Sequence, residues 1–270
     1  MDKKHLNRLV QEALEGDKAS LEKLIVEIQG YVYNLAVRFY WNPPDAQDAT
    51  QEILVKIITN LSKFEGKSTF TTWMYRLATN YLLNAKRSEA EALTFEEGAE
   101  HLSKGLEFPG YDLPDRGLLE EEVKISCTTS MLVCLSRPMR LAYLIGEILE
   151  FDSNEGSFIL GIDPATFRKR LSLARQKIRD FMGKQCGLYN RANPCRCHRQ
   201  ISYSLHVAWF DRENLNFADK GVPLTRLKEE IDAFIDEVAI FHSHPQYQAP
   251  TAIYQEIKEM IESGRHSFLG

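Results

Sequence analysis

Thr72, Arg76, Asn80 and Arg87 lie on one side of a stretch with helical periodicity. Hydroxyl, guanidinium and amide donors arrayed this way suit phosphate oxygens and the edges of bases. Phe64, Phe70, Trp73, Tyr75 and Tyr81 crowd the same stretch and the polar loop before it, which carries Gly66, Lys67, Ser68 and Thr69. Aromatic rings beside cations can stack on unpaired bases, at roughly 1–3 kcal/mol per base. The same rings also read as the ordinary core of a small helical domain. A second basic segment lies further on. Arg168, Lys169, Arg170, Arg175, Lys177, Arg179, Lys184, Arg191, Arg196 and Arg199 fall within residues 163–199, opposed only by Asp163 and Asp180. The whole chain is mildly acidic, with 33 Lys and Arg against 38 Asp and Glu. Local charge, not the total, decides where a polyanion docks.

Two further clusters carry other chemistry. Asp45, Asp48, Gln51 and Glu52 sit at helical spacing, an acidic polar face able to meet a basic partner surface or simply to be solvated. Cys186, Cys195, Cys197 and His198 are candidate metal ligands, but the C-x-C-H spacing makes tetrahedral use of the last three awkward. A reduced, packed or redox-responsive cluster is the other reading. With Cys127 and Cys134 there are five cysteines, an odd number for a complete disulfide framework. No P-loop, dinucleotide fingerprint or nucleophile elbow occurs, so no catalytic residue and no cofactor is expected. Neither a signal peptide nor a stretch apolar enough to cross a bilayer is present, and a reducing cytoplasm is the expected setting.

The elements that position these residues read as helices. Apolar stripes recur through residues 1–41, closed by Asn42-Pro43-Pro44, which forces a turn. Ile53, Leu54, Ile57, Ile58 and Leu61 make the next stripe, and Met74, Ala78, Tyr81 and Ala85 the buried side of the one after it. Periodicity dissolves over residues 88–118, where Gly, Pro and acidic residues suggest a spacer that is at least partly flexible. Helices resume near Leu119. A short one ends at Gly161, and Asp163-Pro164 opens another whose inner stripe is Phe167, Leu171, Ala174 and Ile178. That pairing reads as a helix-turn-helix with a basic second helix. Residues 201–209 alternate like a strand in helical surroundings and stay unassigned. Two amphipathic helices are expected over 224–262, one capped by Thr225 and one by Thr251, with His242 and His244 as turn or packing residues between them. Their apolar faces need a surface, so the acidic tail is expected to fold back on the helical domains.

The order DAxDxxQE, amphipathic helix, F-x-G-x-S-x-F-x-T-W and YRLATN over residues 45–87 resembles the second conserved region of bacterial sigma factors of the extracytoplasmic-function (ECF) type. LGI-x-x-x-T-F-R-K-R-L-x-x-A-R resembles their fourth region. Gly156 and Ser157 depart from it, standing where the family commonly has an aliphatic residue and alanine, and Leu173 stands where a basic residue is common.

The resemblance implies an all-α chain. Region 2 would span 1–87 and an acidic linker 88–118, with a region 4 helix-turn-helix over 119–185 and a Cys-containing, mostly helical extension over 186–270. It implies core RNA polymerase and promoter DNA as partners, leaves room for an anti-sigma factor, and needs no membrane insertion. Asp45, Asp48, Gln51 and Glu52 would face the polymerase. Phe64, Gly66, Lys67, Ser68, Thr69, Phe70, Trp73, Arg76 and Asn80 would meet the −10 element. Thr166, Arg168, Lys169, Ser172 and Arg175 would meet the −35 element, with Arg170 and Arg175 also suited to phosphates or internal packing. The alternative is a stand-alone helix-turn-helix regulator whose tail senses metal or redox state.

Overall fold

The computed structural model describes residues 3–218 and 237–262. Twelve α-helices occur among them. In chain order they are α1 (Lys3–Leu14), α2 (Lys18–Tyr40), α3 (Pro43–Thr59), α4 (Phe70–Asn84), α5 (Phe95–Glu107), α6 (Arg116–Val133), α7 (Arg137–Tyr143), α8 (Ser153–Leu160), α9 (Pro164–Gln185), α10 (Cys197–His206), α11 (Glu237–His242) and α12 (Thr251–Glu262). No strand is present among the described residues, so the chain is all-α. It divides into two compact units, neither continuous in sequence. The first holds residues 1–87, 151–168 and 246–270, and the second holds 88–150 and 169–245.

The first unit is built on α1–α4. Leu6, Leu9 and Val10 of α1, Leu24, Ile28 and Val32 of α2, Ile53 and Ile57 of α3, and Met74 and Leu82 of α4 are buried in its core. The turn at 41–44 follows from its residues. Trp41 takes the left-handed conformation as the C-cap of α2. Asn42 then accepts from the Asp45 amide to cap α3, whose first turn carries the prolines, where no amide donor is needed. Within the same unit α8 packs on α4, and α12 packs on both α2 and α3.

The second unit departs from the expectation of a flexible spacer. Residues 88–118 carry a 3-10 turn (Glu89–Ala92) and α5. Thr94 and Glu97 form a reciprocal capping box, with each side chain accepting from the other's backbone amide at 3.2 and 2.9 Å. Glu91 ties the segment down through Arg137, at 2.6 and 2.8 Å, and Arg140, at 3.2 Å. The acidic residues that read as solvent-loving include one whose role is internal pairing. Arg140 is 1% exposed and also donates to the carbonyls of Leu132, Val133 and Leu135, satisfying the end of α6.

Residues 201–209, which alternate like a strand, lie mostly in α10, with Ile201 and Ser204 buried. Ile201, Phe210, Leu119 and Val123 form one apolar cluster, with Cys197, Leu205 and Trp209 packed against it. Contact with α6 decides the state of this segment against its period-2 pattern. The first part of the helix expected after Thr225 falls outside the described residues, and its end, with Val238 and Phe241, lies in α11. α12 begins at Thr251 as expected.

Burial opposes ionisation of Glu91, but the Arg137 hydrogen bond and the Arg140 charge outweigh it and hold the carboxyl below its ordinary value. A carboxylate lowered on folding stabilises above its unfolded pKa and loses that contribution as pH falls through its folded value. Glu91→Ala therefore costs the second unit about 3 kcal/mol, by leaving buried guanidinium without its counter-charge. Glu91→Gln should also flatten the acid limb of the Tm–pH curve below about pH 5. Thermal melts across pH check both.

Candidate nucleic-acid interface

The loop between α3 and α4 opens with a 3-10 turn (Leu61–Lys63) and contains Gly66 at φ +71°, a conformation favourable to glycine. Thr69 closes it as the N-cap of α4, its hydroxyl 3.2 Å from the Thr72 amide and 2.8 Å from the Thr72 hydroxyl. Below the loop the rings of Phe64, Phe70 and Trp73 form a triangle with centroids 5.5–5.7 Å apart. Their exposures differ. Phe70 is 1% exposed and belongs to the core, whereas Phe64 and Trp73 are half-buried. Glu65, Gly66 and Lys67 are exposed, and Lys67 pairs with Glu65. The loop thus offers two partly accessible rings beneath polar backbone.

Along α4, Arg76 and Asn80 are exposed, and so is Arg87 just beyond its end. Thr72 is 4% exposed and committed to the cap, so it does not share the donor face read from the sequence. The inner side is Met74, Ala78 and Leu82 with Tyr75 and Thr79, while Tyr81 and Ala85 are only half-buried. The buried stripe is thus rotated by about one residue. Packing by α8 accounts for this. The Thr79 hydroxyl donates to the Ile159 carbonyl at 3.2 Å, the Arg76 guanidinium lies 4.6 Å over the Phe158 ring, and Tyr75 meets Phe151 edge-on.

The acidic face is intact on α3. Asp48 and Glu52 are exposed, while Asp45 and Gln51 are half-buried. Burial raises the Tyr81 phenol above its ordinary value, and the Glu52 and Asp48 carboxylates add to this. Gln51 does not face solvent alone, because its amide donates to the Glu256 carboxylate of α12.

The turn between α8 and α9 is held as its residues require. Gly161 sits at φ +64°, with Ile162 donating back to Ser157. The Asp163 side chain caps α9 through the Thr166 amide at 2.9 Å and hydroxyl at 2.6 Å, contacts that lower its pKa, the hydroxyl foremost. Gly156, a departure from the family pattern, lies where an added Cβ would collide with the Phe167 ring. It permits close approach of the two helices, and α8 forms despite it. Phe167, Leu171, Ala174 and Ile178 are buried as the stripe requires. Arg168, Lys169, Ser172 and Arg175 are all exposed in some part. Thr166 is engaged with Asp163, and Arg175 with the Glu147 carboxylate, which projects from a single π-helical turn (Leu144–Ile148). Arg175 thus serves the second unit's own packing.

The cysteine segment folds into the second unit. Burial raises the thiols of Cys197 and Cys127 well above their ordinary value and that of Cys195 to about 11. His198 lies 3.6 Å from Glu120. Among the described residues no three His, Cys, Asp or Glu side chains are arranged to hold a metal ion. His244 is buried and hydrogen-bonded to Thr128 at 2.7 Å, and His242 reaches the Glu147 carbonyl at 2.9 Å.

Sequence reasoning missed Asn34 and Arg38, two polar residues one turn apart in the apolar run of α2, and Tyr247, which hydrogen-bonds the first and stacks under the second. The interruption of that stripe was the available signal. Phe158, over Arg76, carried none.

Residues 24–91 match the family model of sigma-70 region 2. The RNA polymerase sigma-H factor of Pseudomonas aeruginosa is 27% identical over 175 residues, covering 63% of this chain and 90% of that protein. The ECF RNA polymerase sigma-E factor of Escherichia coli K12 is 28% identical over 174 residues, with 63% and 90% covered. The solved structure of CnrH in complex with the cytosolic domain of CnrY aligns at TM-score 0.47 and 17% identity, over 66% of this chain and 97% of that one. The first unit's bundle is built around a sigma-70 region 2. Residues 24–91 thus carry a sigma-70 region 2, and over about 175 residues the chain is similar to RNA polymerase sigma factors, among them ones of the ECF type.

Proposed function

We propose that this sigma factor docks on core RNA polymerase through the acidic edge of α3 and captures the opened −10 element on the surface from Phe64 to Asn80. The exposed side of α9 then reads the −35 element in the major groove. In this reading residues 1–87 are the −10 module, 119–185 the −35 module and 186–270 an extension. The chain works in the cytoplasm, where the polymerase supplies the active site, so it has no catalytic residue of its own.

The observation that carries the −10 assignment is the loop itself. Phe64 and Trp73 remain partly accessible over a buried Phe70, and exposed Lys67, Arg76 and Asn80 flank them. An extruded base gains a ring to stack on and cations for its phosphates, which offsets an unstacking cost of a few kcal/mol. Phe70 supports the site from beneath. Arg76, lying over Phe158, must exchange that ring for DNA.

Asn80→Ala, exposed and outside the core, should cut permanganate-reactive thymines in the −10 element by about tenfold, the loss of one good polar contact. Co-purification with core polymerase should be unchanged. Normal opening by this variant would remove the strand-capture role.

On α9, Arg168→Ala should relax preference at one −35 position and cost roughly 1–3 kcal/mol there. Arg175→Ala should instead lower the melting temperature through its lost Glu147 partner and leave the sequence profile unchanged. Selection from a randomised promoter pool reads both profiles. An identical profile before and after the Arg168 change would refute its reading role.

A further inference from the structure

The strip of the first unit formed by α2 and α3 is already occupied. Residues 246–262 return to it, and three kinds of contact seat them. The Asn34 amide donates to the Tyr247 carbonyl at 2.7 Å, and the Tyr247 amide donates to the Asn34 side-chain oxygen at 2.9 Å. The Arg38 guanidinium, itself fixed to Asn34 at 2.8 Å, lies 4.7 Å over the Tyr247 ring. Beyond this anchor, Ile253, Ile257 and Ile261 recur at four-residue spacing and are 0, 3 and 3% exposed, so α12 buries one complete stripe. Its other side, with Gln255, Glu256, Glu259 and Glu262, is solvent-facing. At the edge of the contact Glu256 accepts from Gln51, within the DAxDxxQE face assigned above to polymerase docking.

We infer that α12 is an intramolecular competitor for the polymerase-docking surface, holding the α2–α3 strip until a polymerase element displaces it. The inference rests on the docking reading of α3. The contacts fit a displaceable occupant. The stripe is three side chains long, and the Gln51–Glu256 tie to α3 is an exposed amide–carboxylate pair that water can replace. The anchor at Asn34 and Tyr247 lies before the helix, so α12 can lift while residue 247 stays in place. A protein whose binding-competent form is only fractionally populated shows an affinity reduced by that fraction. The seated tail therefore lowers apparent affinity for core polymerase without altering the docking residues.

The test uses the full chain and purified core polymerase, with binding followed by biolayer interferometry. Ile257→Glu places a charge in the buried stripe and should tighten binding by about tenfold, as expected if α12 is seated in about nine molecules of ten. Glu256→Ala, which removes only the tie to Gln51, should tighten it by about twofold. The charge reversal Asp48→Arg with Glu52→Arg should weaken it. Hydrogen exchange should show faster exchange in α12 of the Ile257→Glu protein, with α1 and α2 still protected. If that protein melts non-cooperatively, the Glu256→Ala result decides alone. Wild-type affinity for both tail variants, with binding lost on charge reversal, overturns the competitor role and leaves the docking reading standing. Wild-type affinity for all three, the reversal included, overturns the docking reading and the inference with it.

Discussion

A carboxamide and a guanidinium one turn apart in the apolar run of α2 impose the constraint on which the first unit depends. Asn34 and Arg38 are 7 and 6% exposed, and burial drives the Arg38 pKa down from its ordinary value. Polar groups withdrawn from water this far need partners. Asn34 finds some of its partners on the backbone of Tyr247, and Arg38 finds the Tyr247 ring, 213 residues along the chain from Asn34. Residues 246–262 are therefore a structural part of the N-terminal bundle. Once residue 247 is fixed there, the four-residue repeat of isoleucines carries α12 onto α2 and α3.

The second unit obeys the same rule with other residues. Arg140 and Arg137 are paired by Glu91, from a segment that would otherwise be a spacer. Glu122, fully buried on α6, accepts from three successive amides, Asn216, Phe217 and Ala218. Burial raises its pKa above the ordinary value, even though those amides favour the charged form. Arg38, Arg140 and Glu122 each meet a segment remote in sequence. Segments remote in sequence are joined in this way, and neither unit is a continuous stretch of chain.

What the sequence makes legible follows from range. The helices of the first unit, the turn at Asn42-Pro43-Pro44, the Gly161–Asp163 junction and the α9 stripe are set by local periodicity and capping, and each appears where its residues place it. The side of α4 facing inward depends on α8, so Thr72, expected among the donors, is buried, and Tyr81, expected in the buried stripe, is only half-buried. Phe70 and Phe64 belong to one motif, yet only packing makes the first core and the second accessible. Arg175 looks like its neighbours on the basic side of α9, and nothing local announces Glu147. The strand-like alternation of 201–209 yields to contact with α6 for the same reason. Local rules reach a turn or a cap. Partners a hundred residues away lie beyond them.

In the proposed function the exposed residues of α4 and α9 act on promoter DNA only as part of a polymerase holoenzyme. Run-off transcription with purified core polymerase, on a pool of bacterial promoter fragments, tests this most directly. The expected transcripts require the protein and begin downstream of a shared pair of upstream elements. The protein alone should show no sequence-specific binding to those fragments at comparable concentration. Tight, specific duplex binding without polymerase, together with no protein-dependent transcript, would contradict it.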